Sequence, residues 1–208
     1  MGADGLVHRG WAAWLLALGI LALSGCGDKP LEPLAAGDGI LAFGDSLTEG
    51  VGAAKATAYP AQLESLIGHS VVNAGVSGET TEEAMARLPQ VLERHDPALV
   101  ILLTGGNDVL RNQDLAQAKR NIARMIELAQ GRGVQVVLVG VPRKSLFSDS
   151  APLYRELAEF YHVPLVDDLV AGLLRRPAYK SDAVHLNAAG YRAMAERLAE
   201  ELRAAGAL

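Results

Sequence analysis

Short, continuous runs of apolar residues recur along the chain and alternate with longer segments in which apolar positions have helical spacing. The short runs are rich in Val, Ile and Leu and are not interrupted by polar residues. This pattern is typical of strands in a sheet that is covered on both faces. It predicts five strands, at residues 39–43, 70–73, 98–104, 134–140 and 163–167.

Helical segments separate these runs. Residues 80–95 open with a Thr cap and early Glu residues, residues 114–130 end at Gly131, and residues 187–206 open with Asn187 as a cap. Strands that alternate with helices form a parallel sheet with right-handed crossovers. We therefore predict one α/β domain over residues 39–208, a flavodoxin-like three-layer sandwich with a five-stranded parallel sheet.

The first 38 residues differ in composition from the predicted domain. His8 and Arg9 precede an apolar run of 13 residues at positions 11–23. A membrane-spanning helix needs about 20 such residues, so the run fits a secretory signal better. It leads into "LSGC", which resembles the bacterial lipobox, whose cysteine is lipidated and begins the mature protein. We expect a lipoprotein signal peptide at residues 1–25, lipidation of Cys26 and a lipidated tether over residues 26–38.

These expectations describe an exported bacterial lipoprotein with a membrane anchor. Gly27 follows the cysteine, where an Asp would resemble an inner-membrane retention signal, so we expect the periplasm-facing side of the outer membrane in a Gram-negative source. The alternative for Cys26 is a buried free thiol, because cysteine often packs in cores as a small apolar residue. It is the only cysteine of the sequence, so disulfides do not contribute to stability.

The balance of charge excludes one class of partner. The formal net charge is −5, and the sequence has no basic run and no series of aromatic residues for stacking on bases. Nucleic-acid binding requires a concentrated basic face. Nucleic acid is therefore not an expected partner.

Ligands of open α/β sheets bind outside the carboxyl ends of the strands, so residues that follow strands are the candidates for function. Among the histidines of the predicted domain, only His185 follows a strand; the other three precede one. Asp182 lies three residues before His185 and could orient its imidazole. Asp167 and Asp168 end the last strand and remain alternative partners.

Three further segments follow strands one, two and three: "GDSLTEG", "NAGVSGETT" and "TGGNDVL". They bring a hydroxyl, an exposed glycine backbone and a carboxamide to the same edge. Ser46 could act as a nucleophile if His185 accepted its proton. The backbone N–H groups of Ser46 and Gly78 and the amide of Asn107 could stabilise the resulting oxyanion. The alternative for Asn107 is a structural role in its turn.

Four blocks of the sequence, in order, resemble the GDSL (SGNH) hydrolase superfamily: "FGDSLTEG", "SGETT", "GGND" and "DAVHLN". The resemblance implies that Ser46 is the nucleophile, that Gly78 and Asn107 donate to the oxyanion, and that His185 is the base, oriented by Asp182. Within the superfamily the chain looks most like the bacterial arylesterase, lysophospholipase and thioesterase I group.

Ala183 is a departure from that group, which commonly has Gly after the catalytic Asp. An added methyl group restricts the backbone of the turn. The placement of the Asp182 carboxylate is therefore a question for the structure.

The resulting hypothesis is a serine esterase that hydrolyses carboxylic esters through an acyl-enzyme intermediate, acting on a small-molecule ester or lipid. Leu110, Leu146 and Phe147 are candidates for lining an acyl pocket. The alternatives are a polysaccharide O-acetyl esterase and a non-catalytic binding lipoprotein. We expect no cofactor and no metal, because a zinc site on Asp182 and His185 would need a third ligand that the sequence does not offer.

Overall fold

The structure, a computed structural model, describes Met1, residues 30–143 and residues 150–208. Several predicted features lie outside these residues. They are the signal peptide, the lipidation site Cys26, and the proposed pocket residues Leu146 and Phe147.

One parallel sheet with the strand order β2-β1-β3-β4-β5 forms the centre of the described chain. Its strands are β1 (Ile40–Gly44), β2 (Val71–Gly75), β3 (Leu99–Leu103), β4 (Gln135–Val139) and β5 (Leu165–Val166). This order is the flavodoxin-like one, in which the direction of winding changes between β1 and β3. The predicted fold class is confirmed.

Helices cover both faces of this sheet. They are α1 (Ser46–Glu49), α2 (Tyr59–Ile67), α3 (Thr81–His95), α4 (Gly106–Leu110), α5 (Leu115–Gln130), α6 (Pro152–Tyr161), α7 (Leu169–Leu174) and α8 (Ala188–Ala205). The side chains of Thr80 and Asn187 cap α3 and α8, as the sequence predicts, and the side chain of Asp114 caps α5. In the described part of the chain, no helix is both long and apolar enough to cross a membrane.

Two apolar cores lie on opposite faces of the sheet. On one face α2, α7 and α8 pack on alternate residues of β1, β3 and β4. On the other face α3, α5 and α6 pack on the intervening residues of the same strands. Burial on both faces explains why these strands are continuously apolar in sequence.

β2 departs from the expectation that both faces of every strand are covered. It is one of the two edge strands of the sheet, and although Val71 is buried, Asn73 is exposed. An edge strand pairs with one neighbour only and extends past part of the helical layers. The short apolar run at the start of β2 was therefore a weaker indication of burial than the apolar runs of β1 and β3.

The described part of the predicted tether, residues 30–38, is mostly exposed, but Leu31 and Leu34 pack on the domain. The side chain of Leu31 is only 6 % exposed and joins the core beside α8. Its N–H donates to the carbonyl of Ala205 at 3.1 Å. Glu32 exchanges two hydrogen bonds with the side chain of Gln135, at 2.7 and 3.0 Å. The chain thus joins the domain at the edge where the strands begin.

Candidate active site

Ser46 lies at the carboxyl edge of the sheet, in the first turn after the central strand β1. It is the first residue of α1, so its N–H has no acceptor within the helix. Asp45 caps this helix by accepting a hydrogen bond from the N–H of Leu47 at 3.1 Å. The sharp transition from strand to capped helix holds the half-buried Ser46 hydroxyl at the mouth of a cavity.

His185 and Asp182 meet Ser46 across 139 positions of the sequence. The Nε2 atom of His185 is 3.1 Å from Oγ of Ser46, and its Nδ1 atom is 2.8 Å from Oδ2 of Asp182. When Nδ1 carries the proton and donates it to the carboxylate, Nε2 is free to accept from the Ser46 hydroxyl. The three side chains then form one continuous chain of hydrogen bonds.

The carboxylate of Asp182 is held by its own turn. Its Oδ1 atom accepts from the N–H groups of Val184 and His185, at 2.8 and 2.9 Å. The bond from Val184, followed by the bond to the His185 side chain, lowers the pKa of Asp182 to about 2. Asp182 is therefore ionised throughout the neutral range. It can orient the imidazole and stabilise a positive charge on it.

Ala183 does not disturb this turn. The non-glycine residues with positive φ in the described chain are Asp96, Asn112 and His162. Ala183 is not among them, so it occupies backbone space that alanine adopts freely. The contact between Asp182 and His185 forms with alanine at this position.

The alternative partners for His185 lie elsewhere. Oδ2 of Asp167 pairs with Arg155 at 2.5 Å, and Asp168 occupies the N-cap position of α7. Ser77 lines the cavity, but its N–H donates to Glu49 and its hydroxyl has no contact with His185. The described residues include no group of three His, Cys, Asp or Glu side chains that could hold a metal ion.

Gly78 and Asn107 reach the same cavity from the loops that follow β2 and β3. Gly78 has φ +79°, a left-handed conformation that favours glycine. The amide of Asn107 donates one hydrogen to the carbonyl of Glu79 at 3.0 Å, which leaves its second hydrogen available. Asn107 therefore makes a structural hydrogen bond, which was the alternative role considered for it from the sequence, and it also lines the cavity.

The cavity beside Ser46 has a volume of about 430 Å³, within the range of small-molecule sites. Leu110 is part of its wall, as the sequence suggested. The rest of the apolar wall was not identified from the sequence: Leu47, Val109, Val141, Pro142, Val170 and Leu174. A leucine or valine that lines a cavity has the same helical spacing as one that packs in the core, so periodicity does not separate the two.

Asp45 is a second polar group that sequence reasoning did not single out. The residue is 3 % exposed and lines the cavity, and within the described part of the chain its carboxyl accepts one hydrogen bond, from Leu47. Burial, with smaller contributions from the nearby acids Glu79 and Asp108, raises the pKa of Asp45 to about 6. The signal in the sequence was an acid placed directly between a buried strand and the candidate nucleophile.

A serine can be activated for attack on an acyl group when its hydroxyl is hydrogen-bonded to an imidazole that is in turn hydrogen-bonded to a carboxylate. Nearby N–H donors then stabilise the oxyanion that forms. This site, at the carboxyl edge of a parallel sheet, defines a serine hydrolase of the α/β class. Residues 42–193 match the model of the GDSL-like Lipase/Acylhydrolase family. The chain belongs to that family, as its four sequence blocks indicated, and it is an ester hydrolase.

Relatives and solved structures agree with this assignment. The chain is 31 % identical over 181 residues to an arylesterase of Vibrio mimicus, covering 80 % of this chain and 89 % of the relative. It is 28 % identical over 177 residues to thioesterase 1/protease 1/lysophospholipase L1 of Escherichia coli strain K12, covering 81 % and 85 %. The crystal structure of AlinE4, an SGNH-hydrolase family esterase, is 34 % identical with a TM-score of 0.63, covering 82 % of this chain and 95 % of that one.

The buried Asp45 gives a testable pH dependence of stability. The unfolded carboxyl titrates near 3.8 and the folded one near 6, so between these values the folded chain retains a proton that the unfolded chain has lost. The free energy of unfolding contributed by Asp45 therefore falls as pH rises from about 4 to about 6, by about 3 kcal/mol, and is constant above. In Asp45→Asn, which keeps an acceptor for Leu47, this fall is absent.

Urea denaturation of both proteins at pH 4, 5, 6 and 7 measures this difference. Contributions from other titrating groups cancel when the two curves are subtracted. Parallel curves would show that Asp45 titrates in the folded protein as it does in the unfolded chain.

Proposed function

We propose that this chain is a serine esterase that hydrolyses carboxylic esters through a Ser46–His185–Asp182 triad and an acyl-enzyme intermediate. The observation that carries the proposal is the unbroken hydrogen-bond chain from Asp182 through His185 to Ser46 at the mouth of an apolar cavity. A binding protein without catalysis has no need of this alignment.

In the first half of the reaction, Nε2 of His185 takes the hydroxyl proton while Oγ of Ser46 forms a bond to the ester carbonyl carbon. The carbonyl π electrons move to its oxygen, which accepts hydrogen bonds from the N–H groups of Ser46 and Gly78 and from the amide of Asn107. The intermediate collapses, the carbon–oxygen bond to the leaving group breaks, and the alcohol leaves with the proton held by His185. Ser46 is then acylated.

In the second half, His185 takes a proton from water as the water oxygen attacks the acyl carbon. The second oxyanion uses the same three donors. Oγ of Ser46 leaves, regains its proton from Nε2 and releases a carboxylic acid. Asp182 remains ionised through both halves and balances the transient imidazolium charge, which its low pKa allows.

The apolar wall of the cavity favours a substrate that carries a large apolar acyl group. In the described residues its apolar lining consists of Val, Leu, Pro and Ala side chains and includes no Phe, Tyr or Trp. Sugar sites commonly use aromatic platforms, so the lining favours fatty-acyl esters over an acetylated polysaccharide. The arylesterase and lysophospholipase relatives support the same substrate class.

We further propose that the chain is exported and is anchored to a membrane by a lipid on Cys26. Four residue steps separate Cys26 from Pro30, a reach of at most about 14 Å. The described chain joins the domain at the amino edge of the sheet, and the strands alone span about 17 Å to the carboxyl edge. The proposed attachment point therefore lies toward the opposite end of the sheet from the cavity.

Replacement of Ser46 by Ala tests the nucleophile. Turnover of p-nitrophenyl butyrate should fall by about 10⁴-fold or more, while the free energy of unfolding changes by less than about 0.5 kcal/mol, since the side chain lies in a turn. Ser77→Ala is the matched control and should retain full turnover. A fluorophosphonate probe should label Ser46, as located by peptide mass spectrometry; a folded wild-type protein that is never labelled would favour the non-catalytic binding lipoprotein.

A series of p-nitrophenyl esters from acetate to decanoate tests the acyl pocket. We expect kcat/KM to rise with chain length and Leu110→Ser to lower it about fivefold for octanoate, because about 1 kcal/mol of apolar contact is lost. Acetate hydrolysis should change less than twofold. Leu115→Ser is the matched control, since Leu115 is also partly exposed but does not line the cavity. Turnover of acetate alone would instead support the O-acetyl esterase.

Expression of the full chain in a Gram-negative host tests the anchor. Wild type should fractionate with the outer membrane and carry the mass of acyl chains on Cys26, whereas Cys26→Ser should lack that mass. Both forms should hydrolyse a soluble ester with the same kcat/KM, because the cavity lies far from the attachment point. An unacylated wild-type Cys26 would contradict the anchor and leave the esterase proposal intact.

A further inference from the structure

The loop at residues 76–80 carries Gly78, and hydrogen bonds hold most of its peptide groups. The N–H of Ser77 donates to the carboxylate of Glu49 at 2.8 Å, and the N–H of Glu79 donates to the carbonyl of Val76 at 3.2 Å. The N–H of Gly78 has no hydrogen-bond partner among the described residues. It is the group of this loop that is left available for a ligand.

Arg111 holds the other polar group of Gly78. This residue ends α4 as its C-cap, and its Nη2 atom donates to the carbonyl of Gly78 at 2.8 Å. A charged donor makes a stronger hydrogen bond to a carbonyl than a neutral one does. The side chain of Arg111 is exposed and belongs to neither apolar core, so the contact adds little to the stability of the domain.

Gly78 needs such a restraint more than its neighbours do. It has no side chain to limit rotation about its backbone, and its φ of +79° is one of several conformations open to glycine. The Gly78 N–H belongs to the peptide that joins Ser77 to Gly78, and the Gly78 carbonyl belongs to the next peptide, so the two groups share only the Gly78 Cα atom. Arg111 holds the second peptide and with it this Cα atom, while Glu49 holds the N–H of Ser77 on the other side. The donor therefore lies between two restrained peptides, and loss of Arg111 removes one of these restraints.

Helix α4 also supplies the second side-chain contact to this loop. Asn107 donates to the carbonyl of Glu79, the residue next to Gly78, at 3.0 Å. The same helix thus holds two consecutive carbonyls of the loop and presents the Asn107 amide to the cavity. The distance between the Gly78 N–H and the Asn107 amide is set by these two contacts.

We propose that Arg111 is a positioning residue for ester hydrolysis, which fixes the Gly78 N–H where the oxyanion forms by holding the Gly78 carbonyl. This inference rests on the proposed function, in which Gly78 is an oxyanion donor. Arg111 acts through Gly78 and does not touch the reacting atoms. Loss of Arg111 should therefore destabilise the transition state and change substrate binding little.

The test compares Arg111→Met and Arg111→Lys in the full-length enzyme, with active sites titrated by a fluorophosphonate so that only folded, reactive protein is counted. For p-nitrophenyl butyrate, kcat should fall about tenfold in Arg111→Met, a fraction of the about 10²- to 10³-fold effect of losing an oxyanion donor. KM should change less than twofold, and Lys should restore part of kcat. Arg120→Met is the matched control and should match wild type, because the exposed Arg120 side chain pairs with Asp114 and Gln117 and does not line the cavity.

A boronic acid supplies a readout that a purely structural role would not move. Butylboronic acid forms a tetrahedral, negatively charged adduct with serine. Its inhibition constant should rise in Arg111→Met by the factor by which kcat/KM falls. Equal kcat and equal boronate inhibition in Arg111→Met and wild type would overturn the inference, while an inactive Ser46→Ala would still support the esterase. Activity in Ser46→Ala would overturn the esterase proposal instead.

A third outcome distinguishes positioning from direct substrate binding. Arg111 is a surface cation near the cavity and could attract a negatively charged ester. If Arg111→Met raised KM for p-nitrophenyl hydrogen succinate and left kcat for the neutral butyrate unchanged, the residue would be a substrate contact and the positioning role would be wrong. A loss of kcat that is equal for both esters supports positioning.

Discussion

The hydrogen bond between Ser46 and His185 depends on the packing of the last helix of the chain. The loop that carries Asp182 and His185 leads directly into α8, and Asn187 ties the start of that helix to the carbonyls of Ala178 and Lys180. α8 in turn packs along α2 in the larger core, and the hydroxyl of Tyr191 donates to the carbonyl of Val51 at 2.7 Å. Apolar burial far from the cavity therefore fixes the position of the imidazole. The residues of this site come from the two ends of the domain, so the packing of the core between them fixes the distances within the site.

The site also requires three carboxylates within an apolar edge of the sheet: Asp45, Glu79 and Asp108 are at most 6 % exposed. Two of them are well compensated. Glu79 makes a bidentate pair with Arg87 at 2.6 and 2.7 Å, and Asp108 accepts from the N–H and the hydroxyl of Thr81 at 2.9 and 2.7 Å. Among the described residues the Asp45 side chain accepts only from Leu47, and its burial raises its pKa. The acid beside Ser46 thus has the fewest hydrogen bonds of the three.

The sequence predicted those features whose physics is local or periodic. Runs of Val, Ile and Leu located the strands, and Thr80 and Asn187 were recognisable as caps because capping depends on residues only three positions apart. The parallel sheet then placed Ser46, Gly78, Asn107 and His185 at one edge by topology alone, before any family resemblance was used.

Other features depend on contacts that no local pattern records. The burial of Leu31 follows from the space left beside α8, and the half-covered β2 follows from its place at the edge of the sheet. The contact between Arg111 and Gly78 joins residues 33 positions apart, and a surface arginine has no distinguishing context in the sequence. The part of the cavity wall that α7 contributes was not predicted for a different reason. Val170 belongs to the core and also lines the cavity, and an apolar side chain suits both places.

The short helix α1 links Ser46 to the loop at residues 76–80 more directly than the sheet does. Ser46 begins this helix and Glu49 ends it. Glu49 accepts the N–H of Ser77 through its carboxylate and the amide of Asn73 through its carbonyl. Close contact is possible because Gly75 faces α1, where a Cβ atom would lie 2.0 Å from the Glu49 nitrogen. One turn of helix thus sets the distance between the Ser46 hydroxyl and the loop at residues 76–80, and Arg111, the C-cap of α4, holds the same loop through Gly78. Under the proposed function, hydrogen bonds restrain the oxyanion donors, so differences in acyl chain length would be accommodated at the apolar wall of the cavity.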